Sequence, residues 1–549
     1  MKKRVFVVND SSFIASGYGV YGKELLTRLH NSGKYEVAEL GCYADCSRPE
    51  IKNIPWKFYP NAVPSNDKLF DLYKNNAANQ FGAWRFNRAI LDFKPHIVFD
   101  VRDYWMSSYQ ETSPYRKHFH WVLMPTVDSA PQRTEWYYTF ANADIIIPYT
   151  EWAKKTLTKG GGNRLNIFPK IANAGINPNE FYPIEDKRSH KIKYFGSDYN
   201  IVGLVMRNQK RKLIPDILLA FKNYLNLISQ DTEQYNKTYL YLHTSYPEEN
   251  GWDLPSLLLE YGLLDKTYFT YTCRHCGKCF PSKFKNSLIK CQHCNIDNVA
   301  CFASVANSVS TESLNEIYNL FDVFIQYAIC EGFGMPQVEA AACGIQIASV
   351  DYSAMTEITE NLNGIKIPVK RLFRELETNA DRSYPDNDFT TNMLYEFFNQ
   401  TSPETRAINS KKIREKCLSI YTWDNVYKVW DECFDQLRIE DKIPWNINQK
   451  FTTNHENMSV PANLNAREFV EYICSNIINE PYLIRTAGVQ QLIKDLSSKI
   501  VARNGSIKGF TFQDAVSVLE QHLNNKNVAE EMRQKEASLA KEDYLQCQK

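Results

Sequence analysis

The stretch "CEGFGMPQVEAAACG", Cys330 to Gly344, places two carboxylates, Glu331 and Glu339, with seven residues between them. A Gly-Phe-Gly turn fills the gap, and a run of small residues follows. Gly332 and Gly334 allow backbone to come close to a ligand. Pro336 suits the first turn of a helix, so the helix is expected to begin there. The free N–H groups and dipole at such a start form an anion site. Glu331 then stands before the turn and Glu339 about one helical turn inside, where both reach the same ligand. A ligand bearing phosphate and offering hydroxyls to two carboxylates satisfies these features. A nucleotide sugar is such a ligand.

A second cluster carries metal chemistry. "CRHCGKCFPSKFKNSLIKCQHC" holds two Cys-x2-Cys pairs, Cys273 with Cys276 and Cys291 with Cys294, fourteen residues apart. Each pair presents two thiolates from one tight turn, and two such knuckles complete a tetrahedral zinc site. Four thiolates leave no open position, so the zinc is read as structural. Cys279 is a spare. A ribbon this short cannot bury a core, and the metal is expected to supply its folding energy. Arg274, Lys278, Lys283, Lys285 and Lys290 lie in it with no acidic residue. They form either a solvated surface or a basic patch beside the cleft that touches a phosphate backbone.

These residues need a frame. The chain has 549 residues, 44% hydrophobic and 13% aromatic, enough for large buried cores. Its 64 Lys and Arg balance 63 Asp and Glu, so no whole-chain field attracts a polyanion. No apolar run approaches a membrane span. The apolar run Val5 to Val8 is too short for a signal peptide. A cytoplasmic protein is expected, with its 14 cysteines as thiols or metal ligands.

"RVFVVND" reads as a buried strand and "GVYGKELLTRLHNSG" as the helix after it. The bursts "HIVFDVRD", "HFHWVLMPTVD" and "ADIIIPYT" recur between helix-like stretches, the pattern of a parallel sheet covered by helices. "IANAGINPNEFYP" reads as a linker, after which the alternation restarts with "NIVGLVMR", "TYLYLHTS", "DVFIQYA" and "IQIASVD". The expectation is an α/β chain of two doubly wound Rossmann-like domains, residues 1–175 and 176–440, facing across a cleft. The ribbon, residues 270–298, is inserted in the second. Residues 455–549 read as a helical appendage without a chemical motif, suited to partner or oligomer contacts. Ligands of such sheets bind beyond the carboxyl ends of the strands. His243 reads as a core histidine, and Asp100, Arg102 and Asp103 end a strand where an acceptor could be touched.

"EGFGMPQVEAAACG" resembles the Glu-x7-Glu motif of retaining glycosyltransferases with the GT-B fold, most like the large family numbered four. "GLVMRNQKRKLIPDILLAF" resembles that family's basic donor motif, "LNEIYNLFDVFIQYA" the segment before the glutamates, and "INPNEFYP" the interdomain linker. The resemblance spans roughly Lys3 to Leu437. It implies that Arg207 and Lys212 clamp the donor diphosphate; Lys210 and Arg211 of the same basic run read as solvated or one layer back. It implies that Glu331 holds a hydroxyl of the transferred sugar and Glu339 the ribose hydroxyls. The amides of Phe333, Gly334 and Met335 would contact sugar or phosphate. "SGYGVYG" looks like the family's glycine-rich loop, with Gly17 and Gly19 approaching the donor from the opposite side. Asp128 falls near the sugar and acceptor, although Val127 stands where the family often has His. No catalytic metal is implied. The implied reaction is retaining transfer of a sugar from a nucleotide sugar to a hydroxyl on a glycan, lipid-linked or small-molecule acceptor. The ribbon raises an alternative, an acceptor in nucleic acid such as a hydroxymethylated DNA base. Some bacteriophages encode GT-B enzymes of that activity.

Overall fold

Val5, Phe6, Val7 and Val8 are fully buried, as a strand covered on both faces requires. The computed structural model describes residues 2–304 and 307–445. Beyond them it describes 463–474, 483–484, 487–496, 506–507, 510–524, 534 and 538. Six parallel strands form the first sheet: β1 (Lys3–Asp10), β2 (Tyr35–Cys42), β3 (Lys57–Pro60), β4 (Ile97–Arg102), β5 (His120–Pro125) and β6 (Ile145–Ile146). Their order is β3-β2-β1-β4-β5-β6, so the winding reverses between β1 and β4.

The second sheet contains β7 (Asn200–Val205), β8 (Thr238–His243), β9 (Thr267–Cys273), β10 (Cys279–Lys283), β11 (Ala300–Phe302), β12 (Val323–Gln326), β13 (Gln346–Val350) and β14 (Ile365–Ile367). Its order is β10-β9-β8-β7-β12-β13-β14, with β11 paired to β9. Here the winding reverses between β7 and β12. The two switch points put the loops after β1, β7 and β12 at the crevice where doubly wound sheets hold ligands. Those loops carry the glycine run, the basic run and the glutamate motif. A separate hairpin, β15 (Val369–Arg374) and β16 (Asp381–Pro385), follows.

The chain crosses between the sheets twice, and the crossings touch. Ile176 and Thr422 form a β-bridge. A Cβ on Gly175 would lie 2.4 Å from the backbone nitrogen of Trp423, so only glycine permits this approach. The helix Trp423–Gln436 then packs on the first sheet, although it falls in the range 176–440. Trp430 Nε1 donates to the Tyr21 hydroxyl at 2.8 Å, and its ring lies 4.9 Å from that of Phe99. One apolar cluster therefore runs from Val5 through Phe333 and Tyr421 to Trp430.

The ribbon is not free-standing. β10 and β11 pair antiparallel with both edges of β9, itself a strand of the main sheet. Phe280, Tyr271 and Phe302 belong to the second domain's core. The expectation that metal alone supplies the ribbon's folding energy is thereby corrected, because its strands extend an existing sheet. In the tail, the helices Ala466–Tyr472, Ala487–Leu496 and Phe512–Asn524 accompany a short hairpin, Ser506–Ile507 with Phe510–Thr511. Phe469, Ile473, Val489 and Leu519 gather there in a core of their own. Residues 446–462, most of the polar connection, lie outside the described residues. Among the described residues twelve cysteines are free thiols, while Cys46 is disulfide-bonded, so the thiol expectation fails at Cys46. Among the described residues no helix is long and apolar enough to cross a membrane.

Candidate functional site

The glutamate loop is built by its punctuation. β12 ends at Gln326, and the Gln326 side-chain amide donates to the Glu331 carboxylate at 3.0 Å. Glu331 N donates to Ser353 Oγ at 3.0 Å, which fixes the loop to the next strand's turn. Gly334 has φ 94°, a left-handed conformation that suits glycine. It caps the helix Met335–Ala342, which starts one residue before Pro336 and keeps that proline in its first turn. On this helix Glu339 accepts a 2.6 Å hydrogen bond from the Tyr318 hydroxyl. Burial pushes its carboxyl up to about 7, against that hydrogen bond.

Two cations converge on Glu331. Lys212 forms an ion pair with it, and both side chains are 9% exposed. Arg211 Nη1 stands 3.1 Å from the same carboxylate oxygen. Burial alone would raise the carboxyl of Glu331, but the Arg211 and Lys212 charges outweigh burial and hold it at about 2. The ammonium fares differently. Burial and the Arg211 guanidinium pull Lys212 below its ordinary value, although Glu331 opposes them. One anion shared by two cations explains both directions, and it leaves the site with an excess positive charge.

Arg211, read from sequence as solvated or one layer back, is therefore corrected to a direct partner of Glu331. Its place beside Lys212 in the turn Lys210–Lys212 was the available signal. Arg207 is not brought to Glu331. It is 56% exposed, and its Nε donates to Glu248 at 2.8 Å.

Across the cleft, Ser16 caps the helix Gly17–Asn31, accepting from Gly19 N at 3.1 Å and donating to Asp10 at 2.5 Å. A Cβ on Gly17 would sit 3.8 Å from Met335 Sδ, so the two glycine-bearing loops oppose each other. Gly19 has another reason to be small: a Cβ there would come within 2.3 Å of its own loop's Ile14 carbonyl. At Gly332 a Cβ would meet Thr126 of the first domain at 2.3 Å. The Phe333 ring is buried and stacks on Tyr149 at 5.0 Å, so its side chain holds the loop against the first domain.

Asp128 reaches toward the second domain. Its carboxylate lies 3.2 Å from Arg382 and accepts from the Cys330 thiol at 3.2 Å. Arg382, in β16, was missed, since nothing in its local spacing marks it and its partners lie far along the chain. Asp100 and Arg102 make a fully buried 2.6 Å ion pair, with Gln110 also donating to Asp100 at 3.0 Å. Both are buried in this pair, so the possibility that these two strand-end charges touch an acceptor is not supported. Asp103 does face a cavity. His243 bonds Thr270 Oγ1 at 2.9 Å, and burial lowers it to about 4, the behaviour of a core histidine.

The four ribbon thiols lie within 4.8 Å of one another. Cys273 and Cys294 sulfurs are 3.8 Å apart, and those of Cys276 and Cys291 3.7 Å. A tetrahedral ion with bonds of about 2.3 Å needs sulfurs about 3.8 Å apart. The backbone N–H groups of His275 and Cys276 donate to Cys273 Sγ, and those of His293 and Cys294 to Cys291 Sγ. This set fits zinc. Cys279 lies outside it, in the apolar core.

Arg274, Lys278, Lys285 and Lys290 are exposed. Lys283 is not part of that patch. Its ammonium sits over the rings of Tyr268 and Tyr239, at 3.5 and 3.9 Å, so its reading as a surface cation is corrected.

Residues 293–375 match the family model described as glycosyl transferases group 1. No curated protein sequence matches the chain. Among solved structures, sucrose-phosphate synthase from Thermosynechococcus elongatus aligns with a TM-score of 0.57 at 16% identity, covering 79% of this chain and 99% of that one. A glycosyltransferase from Rickettsia africae gives 0.55 at 11% identity, covering 79% and 98%. HepE from Anabaena, solved with UDP and glucose, gives 0.54 at 12% identity, covering 79% and 100%. The chain has the GT-B glycosyltransferase fold, two Rossmann-like domains across a cleft.

Proposed function

We propose that this chain is a retaining glycosyltransferase that moves a sugar from a nucleoside-diphosphate sugar to a hydroxyl acceptor. The observation that carries the reading is the Glu331 carboxylate held between Lys212 and Arg211 at the switch point of the second sheet. Its excess positive charge suits a diphosphate. Negative charge builds on that diphosphate as the sugar departs, and fixed cations in a closed cleft stabilise it more than water does. Lys212 and Arg211 would take the phosphates, with Arg207 joining once it leaves Glu248. The start of the helix Met335–Ala342, with the amides of Phe333, Gly334 and Met335, adds N–H donors. Freed from its cations, Glu331 would accept from a sugar hydroxyl. Glu339 would accept from the ribose, with Gly17 closing the site from the first domain. Asp128 would lie on the acceptor side.

The ribbon cysteines Cys273, Cys276, Cys291 and Cys294 would hold one structural zinc, which fixes the ends of β9 and the loop before β11. The HepE complex with UDP and glucose supports a uridine donor as the first to try. Proton NMR of the product of the first turnover tests retention: the anomeric configuration of the donor should persist, and its inversion would contradict the reading.

A second reading places the acceptor hydroxyl in DNA. The four exposed ribbon cations favour it. Measuring DNA affinity against salt tests it, and no affinity at low salt would end it.

A further inference from the structure

A cavity of about 50 Å³ lies between the carboxyl ends of β4 and β5 and the β15–β16 hairpin. Asp103, Trp105, Thr126, Asp128, Trp136 and Arg382 line it. We propose that it is the acceptor subsite and that it takes the hydroxylated edge of a neutral saccharide ring. This rests on the nucleotide-sugar reading for the step that follows, but the binding itself can be measured alone.

Position comes first. Asp128 accepts from the thiol of Cys330, the residue before Glu331, so the cavity adjoins the carboxylate assigned to the transferred sugar. Charge comes next. Two carboxylates and one cation line it, and that cation is committed, because Arg382 lies 3.2 Å from Asp128 and 2.8 Å from Glu375, while Arg211 nearby is paired with Glu331. The remaining capacity is for accepting hydrogen bonds, which suits hydroxyls and disfavours phosphate. Burial and the neighbouring Asp128 push the Asp103 carboxyl up to about 7, an environment that rewards a donor hydroxyl. Shape also discriminates. Trp105 is 50% exposed at the mouth, and Tyr104 lies against Trp136 with ring centroids 4.8 Å apart. These give flat apolar surface for a sugar face. A volume of about 50 Å³ holds the equivalent of a few waters, which matches one hydroxylated edge and not a base with its phosphates.

The test is a tryptophan-fluorescence titration of the full chain. Methyl α-D-glucopyranoside and maltose serve as neutral probes, and a duplex containing 5-hydroxymethylcytosine as the rival. The proposal expects a saturable change with at least one saccharide. Asp103→Asn should weaken it about tenfold or more, the loss of one charge-assisted hydrogen bond. Trp105→Phe, at an exposed position, should reduce its amplitude without unfolding. UDP affinity of Asp103→Asn should stay within about twofold. The proposal is overturned by no saturable response to either saccharide, by a response that survives Asp103→Asn and Asp128→Asn, or by a response to the duplex alone. Failure of UDP to bind the wild type would contradict the donor reading separately, since the saccharide titration contains no nucleotide.

Discussion

Replacing Glu331 by Gln removes the one anion from a site with two cations. The carboxyl is held at about 2 from an ordinary 4.5. At 1.36 kcal/mol per unit, that depression is worth about 3 kcal/mol of stability. The sign follows from the direction: the contribution is present above the unfolded value and is lost as pH falls toward 2. At pH 7 the variant should therefore lose about 3 kcal/mol, and breaking a buried pair costs about that much. In a domain of this size the melting temperature should fall by roughly 6–12 °C. Binding should move the other way. In the wild type a diphosphate must draw Lys212 and Arg211 away from Glu331, and in Glu331→Gln they are already free. UDP should bind the variant about tenfold more tightly and restore most of the lost melting temperature, while transfer falls by a hundredfold or more. Calorimetric titration with UDP and differential scanning fluorimetry read both effects. Weaker UDP binding by Glu331→Gln, or an unchanged melting temperature, would refute the charge argument.

Glu339 should give donor affinity a pH dependence. Its carboxyl is protonated below about 7 and ionised above, and only the ionised form accepts from both ribose hydroxyls. UDP-glucose binding should strengthen about tenfold from pH 6 to 8, and Glu339→Gln should flatten the curve. About one equivalent of zinc should copurify with the chain, and Cys273→Ser with Cys291→Ser should lose it. Its loss should also raise the donor KM several-fold. Tyr246 wedges between Phe284 and Phe302 at the ribbon's root, and two residues on Glu248 holds Arg207. On the DNA reading, changing Lys278, Lys285 and Lys290 to Gln should lower the slope of log affinity against log salt by roughly one per lost contact. Lys283→Gln alone should leave that slope unchanged, because its ammonium faces Tyr239 and Tyr268.

The parallel strands were legible because burial on both faces makes them continuous apolar runs, as in "RVFVVND". The glutamate loop was legible because glycine, proline and a preceding strand mark a strand-to-helix turn within a dozen residues. The ribbon's thiols were legible from spacing alone. What escaped depends on partners distant in sequence. Lys283 looks like its basic neighbours until β8 and β9 supply the tyrosines. Asp100 and Arg102 look like free strand-end charges until Phe81 and Gln110 close around them. Arg382 joins the site only because its hairpin folds back to Ala130, where Asp381 N donates to the Ala130 carbonyl at 2.9 Å. Arg211 and Lys212 are adjacent in the same basic run, and only their geometry shows that both meet Glu331.

Release of nucleoside diphosphate from a nucleotide sugar tests the central claim most directly. The wild-type chain should release UDP from UDP-glucose, or the corresponding diphosphate from another nucleotide sugar in a panel. Lys212→Ala should be slower by about a hundredfold to a thousandfold, the cost of one preorganised cation at the departing phosphate. No release from any donor, or release that Lys212→Ala leaves unchanged, would contradict the account.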